Sequence, residues 1–244
     1  MERGGKTVFG AAVGILMLET RFPRIHGDMG NAMTWDFPVH YKVVRGANPE
    51  NVVRGNPKEL VDLFVDAGRD LIAMGADGIT TNCGFLALIQ DEVKQALGVP
   101  VATSSLMQVP MVQTLLPAGK RCGILTISKA TLTPAHLEAA GVAPDTPIAG
   151  TDGLRCFTRD ILGDAPEIDF AACRLDMIDA ARAMVADMPD LGAIVLECTN
   201  MVPYARDVRK ATGLPVFSIH SFINWFQAGL LPKGFPLELD DPRW

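Results

Sequence analysis

An α/β fold of two pseudo-symmetric lobes, each a parallel sheet flanked by helices, is predicted by three features of the sequence. Short apolar runs rich in β-branched residues alternate with helical patterns of 10 to 20 residues, as βαβ units require. The chain repeats itself internally. Each copy of the repeat places a cysteine and small polar residues straight after a strand, where open α/β sheets bind ligands.

Taken from the N-terminus, the run Val8–Leu18 reads as a buried first strand. Arg3 and Lys6 give it the look of a secretory leader. However, Gly10 and Gly14 interrupt the run, Glu19-Thr20-Arg21 ends it without a small-residue cleavage pattern, and Gly14-Ile15-Leu16 recurs as Gly123-Ile124-Leu125. Further strands are expected at 77–81, 99–103, 121–127, 192–197 and 214–219. The clearest helix spans 57–74. Asn56 caps it, Pro57 suits its first turn, Glu59 completes a capping box, and Leu60, Leu63, Phe64, Ala67 and Leu71 share one face. A second helix is expected at 169–187. Residues 19–56, with Gly27, Gly30 and Pro38, read as a long loop over a site, with one strand at Val39–Val44.

The repeat sets the domain organisation. Cys83 precedes Gly98-Val99-Pro100-Val101 by 15 residues, and Cys198 precedes Gly213-Leu214-Pro215-Val216 by the same 15. At this offset of 115, Leu86, Ile89 and Val93 fall on Met201, Tyr204 and Val208, and Ile79 falls on Ile194. The Gly14 and Gly123 triplets lie 109 apart, so the halves differ by about six residues between their first matched strands. The lobes are therefore expected at 1–103 plus 213–244 and at 104–212, with the chain crossing back after the second repeat and the active site in the cleft between them.

Composition narrows the function. With 244 residues, 48% of them hydrophobic, the chain can bury a full core. Its net charge of −6 is dispersed, and no basic run interleaves with aromatics, so nucleic acid is not an expected partner. No apolar stretch reaches the roughly 20 residues that span a bilayer, so neither is a membrane. A small molecule is the expected partner. Five cysteines without CxxC spacing and four scattered histidines argue against a disulfide framework or a metal site, and free thiols point to a cytoplasmic setting.

Cys83 and Cys198 are the candidate catalytic residues. Unpaired N–H groups at a helix start stabilise a thiolate, lowering its pKa from about 8.5, and can also hold a carboxylate. A thiol poised in this way serves as acid or base beside a carbon made acidic by a stabilised carboxylate. Candidate substrate-binding residues are Thr81, Asn82 and Gly84 at the first turn, Thr199 and Asn200 at the second, and Thr126, Ser128 and Thr131 after the Gly123 strand. Arg21 from the long loop is a further candidate, as a carboxylate clamp; Arg24 lies beside it. Cys122, Cys156 and Cys173 read as small packed hydrophobes, and the histidines lie off any motif.

The segments Ile79-Thr-Thr-Asn-Cys-Gly-Phe85 and Leu196-Glu-Cys-Thr-Asn-Met201 resemble the aspartate/glutamate racemase superfamily, which includes hydantoin racemases, maleate isomerases and arylmalonate decarboxylases. The resemblance implies chemistry without pyridoxal phosphate or any other cofactor. In it, Cys83 and Cys198 act as a pair, one removing the α-proton and the other returning a proton to the opposite face. It implies that Thr199 contacts the substrate carboxylate, that Thr81 and Asn82 play similar roles, and that the chain forms a homodimer. The function expected on this basis is a racemase or epimerase of an amino acid or related small carboxylate. A cis–trans isomerase, a decarboxylase and a non-catalytic small-acid binding protein stand as alternatives. Gly84-Phe85 replaces the Asn-Thr of amino-acid racemases, and Asn200 stands where glutamate racemases have His, which argues against free glutamate or aspartate as the substrate.

Overall fold

Six consecutive buried residues, Val13–Leu18, form β1, which is apolar on both faces as a covered parallel strand must be. In this computed structural model, which describes residues 4–235, β1 is followed by β2 (Val39–Val44), α1 (Val61–Met74), β3 (Gly78–Thr81), α2 (Gln90–Leu97), β4 (Val101–Ala102) and α3 (Val109–Leu115). The second half runs β5 (Arg121–Thr126), α4 (Pro134–Ala139), β6 (Ile148–Gly150), α5 (Phe157–Leu162), α6 (Phe170–Asp187), β7 (Leu191–Leu196), α7 (Ala205–Thr212), β8 (Val216–Phe217) and α8 (Ile219–Leu230). The all-parallel sheets have orders β2-β1-β3-β4 and β6-β5-β7-β8, one in each lobe. Among the described residues no helix is long and apolar enough to cross a membrane.

The internal repeat reappears as strand register. Gly14 faces Ile79 in the first sheet as Gly123 faces Ile194 in the second, and Ile79 faces Val101 as Ile194 faces Val216. After each cysteine the chain makes a 3-10 segment, Gly84–Ile89 or Thr199–Tyr204, that continues into α2 or α7. Leu86, Ile89 and Val93, and their counterparts Met201, Tyr204 and Val208, are all buried. Both helices stop at a glycine, Gly98 (φ 65°) or Gly213 (φ 72°). These left-handed positions are cheap only without a Cβ, and they turn the chain into the next strand.

Three boundaries differ from expectation. The first strand starts at Val13 rather than Val8, because Gly10 takes a positive φ and leaves Val8 and Phe9 exposed. The 57–74 helix opens as a 3-10 turn, Pro57–Leu60, capped by Asn56 Oδ1 accepting from the Lys58 N–H at 3.2 Å. The third difference concerns the return to the first lobe. β8 pairs with β7, so the strand at 216–217 belongs to the second sheet, and only α8 crosses back. There Ile219, Phe222 and Ile223 cover Val13, Ile15 and Met17 of β1.

A buried carboxylate organises the second lobe. Asp176 on α6 accepts the N–H groups of Arg155, Cys156 and Phe157, each at 2.9 Å, and the Arg155 guanidinium at 3.1 Å, fixing the start of α5. Burial pushes its pKa up, but the Phe157, Cys156 and Arg155 N–H groups and the guanidinium outweigh burial and hold the carboxyl below its usual range. Asp176→Ala strands these buried donors, so the expected outcome is a loss of about 3 kcal/mol. Thermal melts check this through a drop in Tm of roughly 6–12 °C. A group with a depressed native pKa contributes stability that is present at neutral pH and lost as the pH falls through its folded value. The wild-type and variant melts should therefore converge in acid.

Candidate active site

Each cysteine sits at the exit of the third strand of its lobe, and the lobes face each other so that both thiols open on one small, partly open cavity. Cys83 is 9% exposed and Cys198 8%. Leu18, Thr20, Phe22 and Arg24 from β1 and the loop after it, and Pro49 and Val53 from later in the 19–56 stretch, wall the first-lobe side. Phe85, Ile127, Ile161 and Leu162 add apolar surface.

The two cysteine turns touch. Thr199 Oγ1 donates to the Asn82 carbonyl at 2.6 Å, and Ser105 Oγ donates to the Leu196 carbonyl. Gly84 lies against Glu197. A Cβ at position 84 would collide with Glu197 Oε1 and come within 2.7 Å of the Glu197 carbonyl oxygen, so a side chain there pushes the lobes apart.

The candidate residues sort by position. Asn82, Cys83, Gly84, Cys198, Thr199 and Asn200 line the cavity. Thr81 does not, because its hydroxyl is turned to the Thr103 carbonyl at 2.6 Å. Thr126 stands behind the wall and donates to Glu197 Oε2 at 2.8 Å. Ser128 and Thr131 pair with each other in the following turn, outside the lining. Arg21 is also outside. Its exposed side chain reaches Asp164 Oδ2 at 3.0 Å, while Asp164 Oδ1 accepts the Arg21 and Phe22 N–H groups, so Arg21 docks the loop onto the second lobe. Arg24 is the cationic side chain in the lining. It donates to Asp28 Oδ1 at 2.7 Å and to Thr20 Oγ1 at 2.8 Å, and lies 4.5 Å from the Phe22 ring centroid.

The thiols differ in their surroundings. Cys198 Sγ is 3.6 Å from Asn200 Oδ1, to which it donates. The Asn200 amide is oriented by its Nδ2, which donates to Asp28 Oδ2 at 2.6 Å. This arrangement holds Cys198 as a protonated thiol. Cys83 faces two backbone N–H groups, those of Phe85 and Leu86, where Cys198 faces one, that of Asn200.

The expected lowering of both thiol pKa values is corrected by the structure. Burial, then the Glu197 charge, push Cys83 up to about 12, against the weaker pull of the Phe85 and Leu86 N–H groups. Burial and Glu197 likewise raise Cys198 well above its ordinary value. The reason is local, since a short 3-10 turn in a dry seam offers few N–H groups to set against desolvation.

Glu197 is the residue that motif reading passes over. It is fully buried, and burial raises its carboxyl to about 7 against the hydrogen bonds from Thr126 and the Ile127 N–H. The signal lies in the sequence as an ionisable residue at the end of the apolar run 191–196. Arg24 and Asp28 carry no such signal, because only the course of the loop brings them to the cavity.

Two lobes with one cysteine at the equivalent turn of each have the fold of the aspartate/glutamate racemase superfamily. An arylmalonate decarboxylase mutant in a sulfate-associated form superposes with a TM-score of 0.61 at 17% identity, covering 91% of this chain and 94% of that one. Glutamate racemase from Francisella tularensis in complex with D-glutamate superposes with a TM-score of 0.55 at 14% identity, covering 93% and 85%. No protein-family model matches the chain. In sequence, it is 30% identical over 244 residues to dimethylsulfoniopropionate lyase 7 of Emiliania huxleyi, covering 96% of this chain and 69% of that protein. The chain belongs to that family. A dimethylsulfoniopropionate lyase of Durusdinium sp. clade D is 28% identical, covering 96% of this chain and 77% of its own.

These relatives overturn the racemase and isomerase reading, because they are lyases. A cysteine beside an acidic carbon is common to racemisation and elimination. The outcome depends on whether the next carbon bears a leaving group, which is a property of the substrate that cysteine spacing does not encode.

The thiol environment yields a direct test. In Glu197→Gln the repulsion raising both thiols disappears, so iodoacetamide alkylation of Cys83 and Cys198 should begin at lower pH than in the wild type. At pH 8 it should run several-fold faster, as read by peptide mass spectrometry. An unchanged profile would mean that burial alone suppresses the thiols.

Proposed function

We propose that this protein is a lyase that eliminates dimethyl sulfide from dimethylsulfoniopropionate or a close β-sulfonium carboxylate. One observation carries the reading: two thiols open on one cavity in a chain matched over 96% of its length to dimethylsulfoniopropionate lyase 7.

The geometry supports a division of labour. Cys83, which faces backbone N–H donors, is the base, and Cys198, donating to Asn200, is the acid. The Cys83 thiolate takes the proton on the carbon next to the carboxylate. The C–H electron pair becomes the new carbon–carbon double bond, and the carbon–sulfur pair leaves on sulfur as neutral dimethyl sulfide, with acrylate as the second product. Cys83 then returns its proton to solvent. With substrate bound, the Cys198 thiol turns its one S–H from Asn200 Oδ1 to the carboxylate oxygen on which negative charge grows. Arg24, with the N–H groups of the two turns, attracts the carboxylate into the cavity.

The raised thiols fit this chemistry. A resting Cys83 is protonated, and a bound sulfonium favours its ionisation by placing a positive charge beside it. The base therefore forms with its substrate in place.

Headspace chromatography of dimethyl sulfide tests the assignment. Cys83→Ala should lose at least 10³-fold in kcat/KM, the scale of a lost general base. Cys198→Ala should lose about 10²-fold, the scale of one lost transition-state donor. Both variants should melt close to the wild type. Full activity in Cys83→Ala would refute its role as base, and a wild type releasing no dimethyl sulfide would refute the lyase reading.

A further inference from the structure

Three buried side-chain atoms lack a hydrogen-bond partner among the described residues: His40 Nε2, His136 Nε2 and Glu197 Oε1. Only Glu197 belongs to the cavity wall. Its other oxygen accepts from Thr126 at 2.8 Å, and Oε1 lies against Gly84 between the two thiols' turns. A buried carboxylate oxygen without a donor is costly, and one kept in a cavity wall calls for a functional reason.

We infer that Glu197 is the specificity-determining residue of the cavity, its free oxygen being the counter-charge for a cationic onium group carried by the substrate. The inference rests on the lyase reading and deepens it by naming the group that selects the substrate class. Apolar walls beside Glu197, chiefly Phe85 and Ile127, suit the methyl groups of a sulfonium or quaternary ammonium, which offer no N–H and bind through charge and contact. Arg24 is paired with Asp28, and among the described residues no cationic side chain forms an ion pair with Glu197.

The position has a second consequence. Glu197 repels the charge of either thiolate, so it suppresses the base while the cavity is empty or holds a neutral acid. An onium group beside Glu197 cancels that repulsion, and ionisation of Cys83 becomes conditional on the substrate being cationic. One carboxylate thereby acts on both binding and reactivity.

Two non-reacting probes separate charge from shape. 3-(Trimethylammonio)propionate carries the cation, and 4,4-dimethylpentanoate is its neutral carbon isostere. Calorimetric titration of the full chain should show the cationic probe binding at least about tenfold tighter, a difference of about 1.4 kcal/mol. In Glu197→Gln the two affinities should come within about threefold of each other through loss of the cationic probe. Glu197→Asp, which keeps the charge, should retain most of the preference. With the sulfonium substrate, Glu197→Gln should raise KM about tenfold and change kcat far less, because the charge pair weakens as sulfur departs neutral.

Equal affinities in the wild type overturn the inference whatever the variants do, as does a preference that survives Glu197→Gln. The lyase reading fails separately. If the wild type releases no dimethyl sulfide yet shows the Glu197-dependent preference, the onium site stands and the reaction assigned to it does not.

Discussion

The contact between the two cysteine turns is the constraint on which the site depends. Gly84 presses on Glu197, and the Thr199 hydroxyl bonds the Asn82 carbonyl at 2.6 Å. This seam joins the lobes where each sheet ends in its thiol, and it buries most of both cysteines. Desolvation then dominates the electrostatics. It raises Cys83, Cys198 and Glu197 together, although the N–H groups at the turns favour the anions. A dry seam with three acidic groups resists holding more than one negative charge, so an incoming cation has leverage over all three.

The duplication supplies matched scaffolds but not matched chemistry. Register, helix length and terminal glycine repeat between the lobes. The cysteines nevertheless differ in surroundings, because Cys198 donates to an Asn200 amide oriented by Asp28, whereas Cys83 has no such side-chain acceptor among the described residues and faces the Phe85 and Leu86 N–H groups. The asymmetry arises from the loop after β1, which brings Phe22 and Arg24 to the cavity and Asp28 to Asn200. A symmetric repeat thus carries an asymmetric site.

Much of the fold is legible in the residues. Local pattern reveals the strands and the two longest helices, since apolar periodicity and caps such as Asn56 and Asp169 act within a few residues. The short helices α4 and α5 and the strand β6 escape it, being too brief for a periodic signal. β8 shows the same limit, for Pro215-Val216-Phe217 reads as a strand but carries no mark of the sheet it joins. Among site residues, those adjacent in sequence to a cysteine reach the cavity, whereas Thr81, Ser128, Thr131 and Arg21 are consumed by backbone or loop contacts.

The sequence by itself determined the two-lobed α/β architecture and the placing of Cys83 and Cys198 at equivalent turns of the repeat. Repeats, periodicity and chain-adjacent motifs are local facts that survive without a fold. Tertiary structure alone decided that Arg24 rather than Arg21 faces the cavity, that Glu197 keeps an oxygen free, and that both thiols are raised rather than lowered. Each of these depends on which distant groups share a dry volume, and desolvation is a property of that shared volume rather than of any segment of chain.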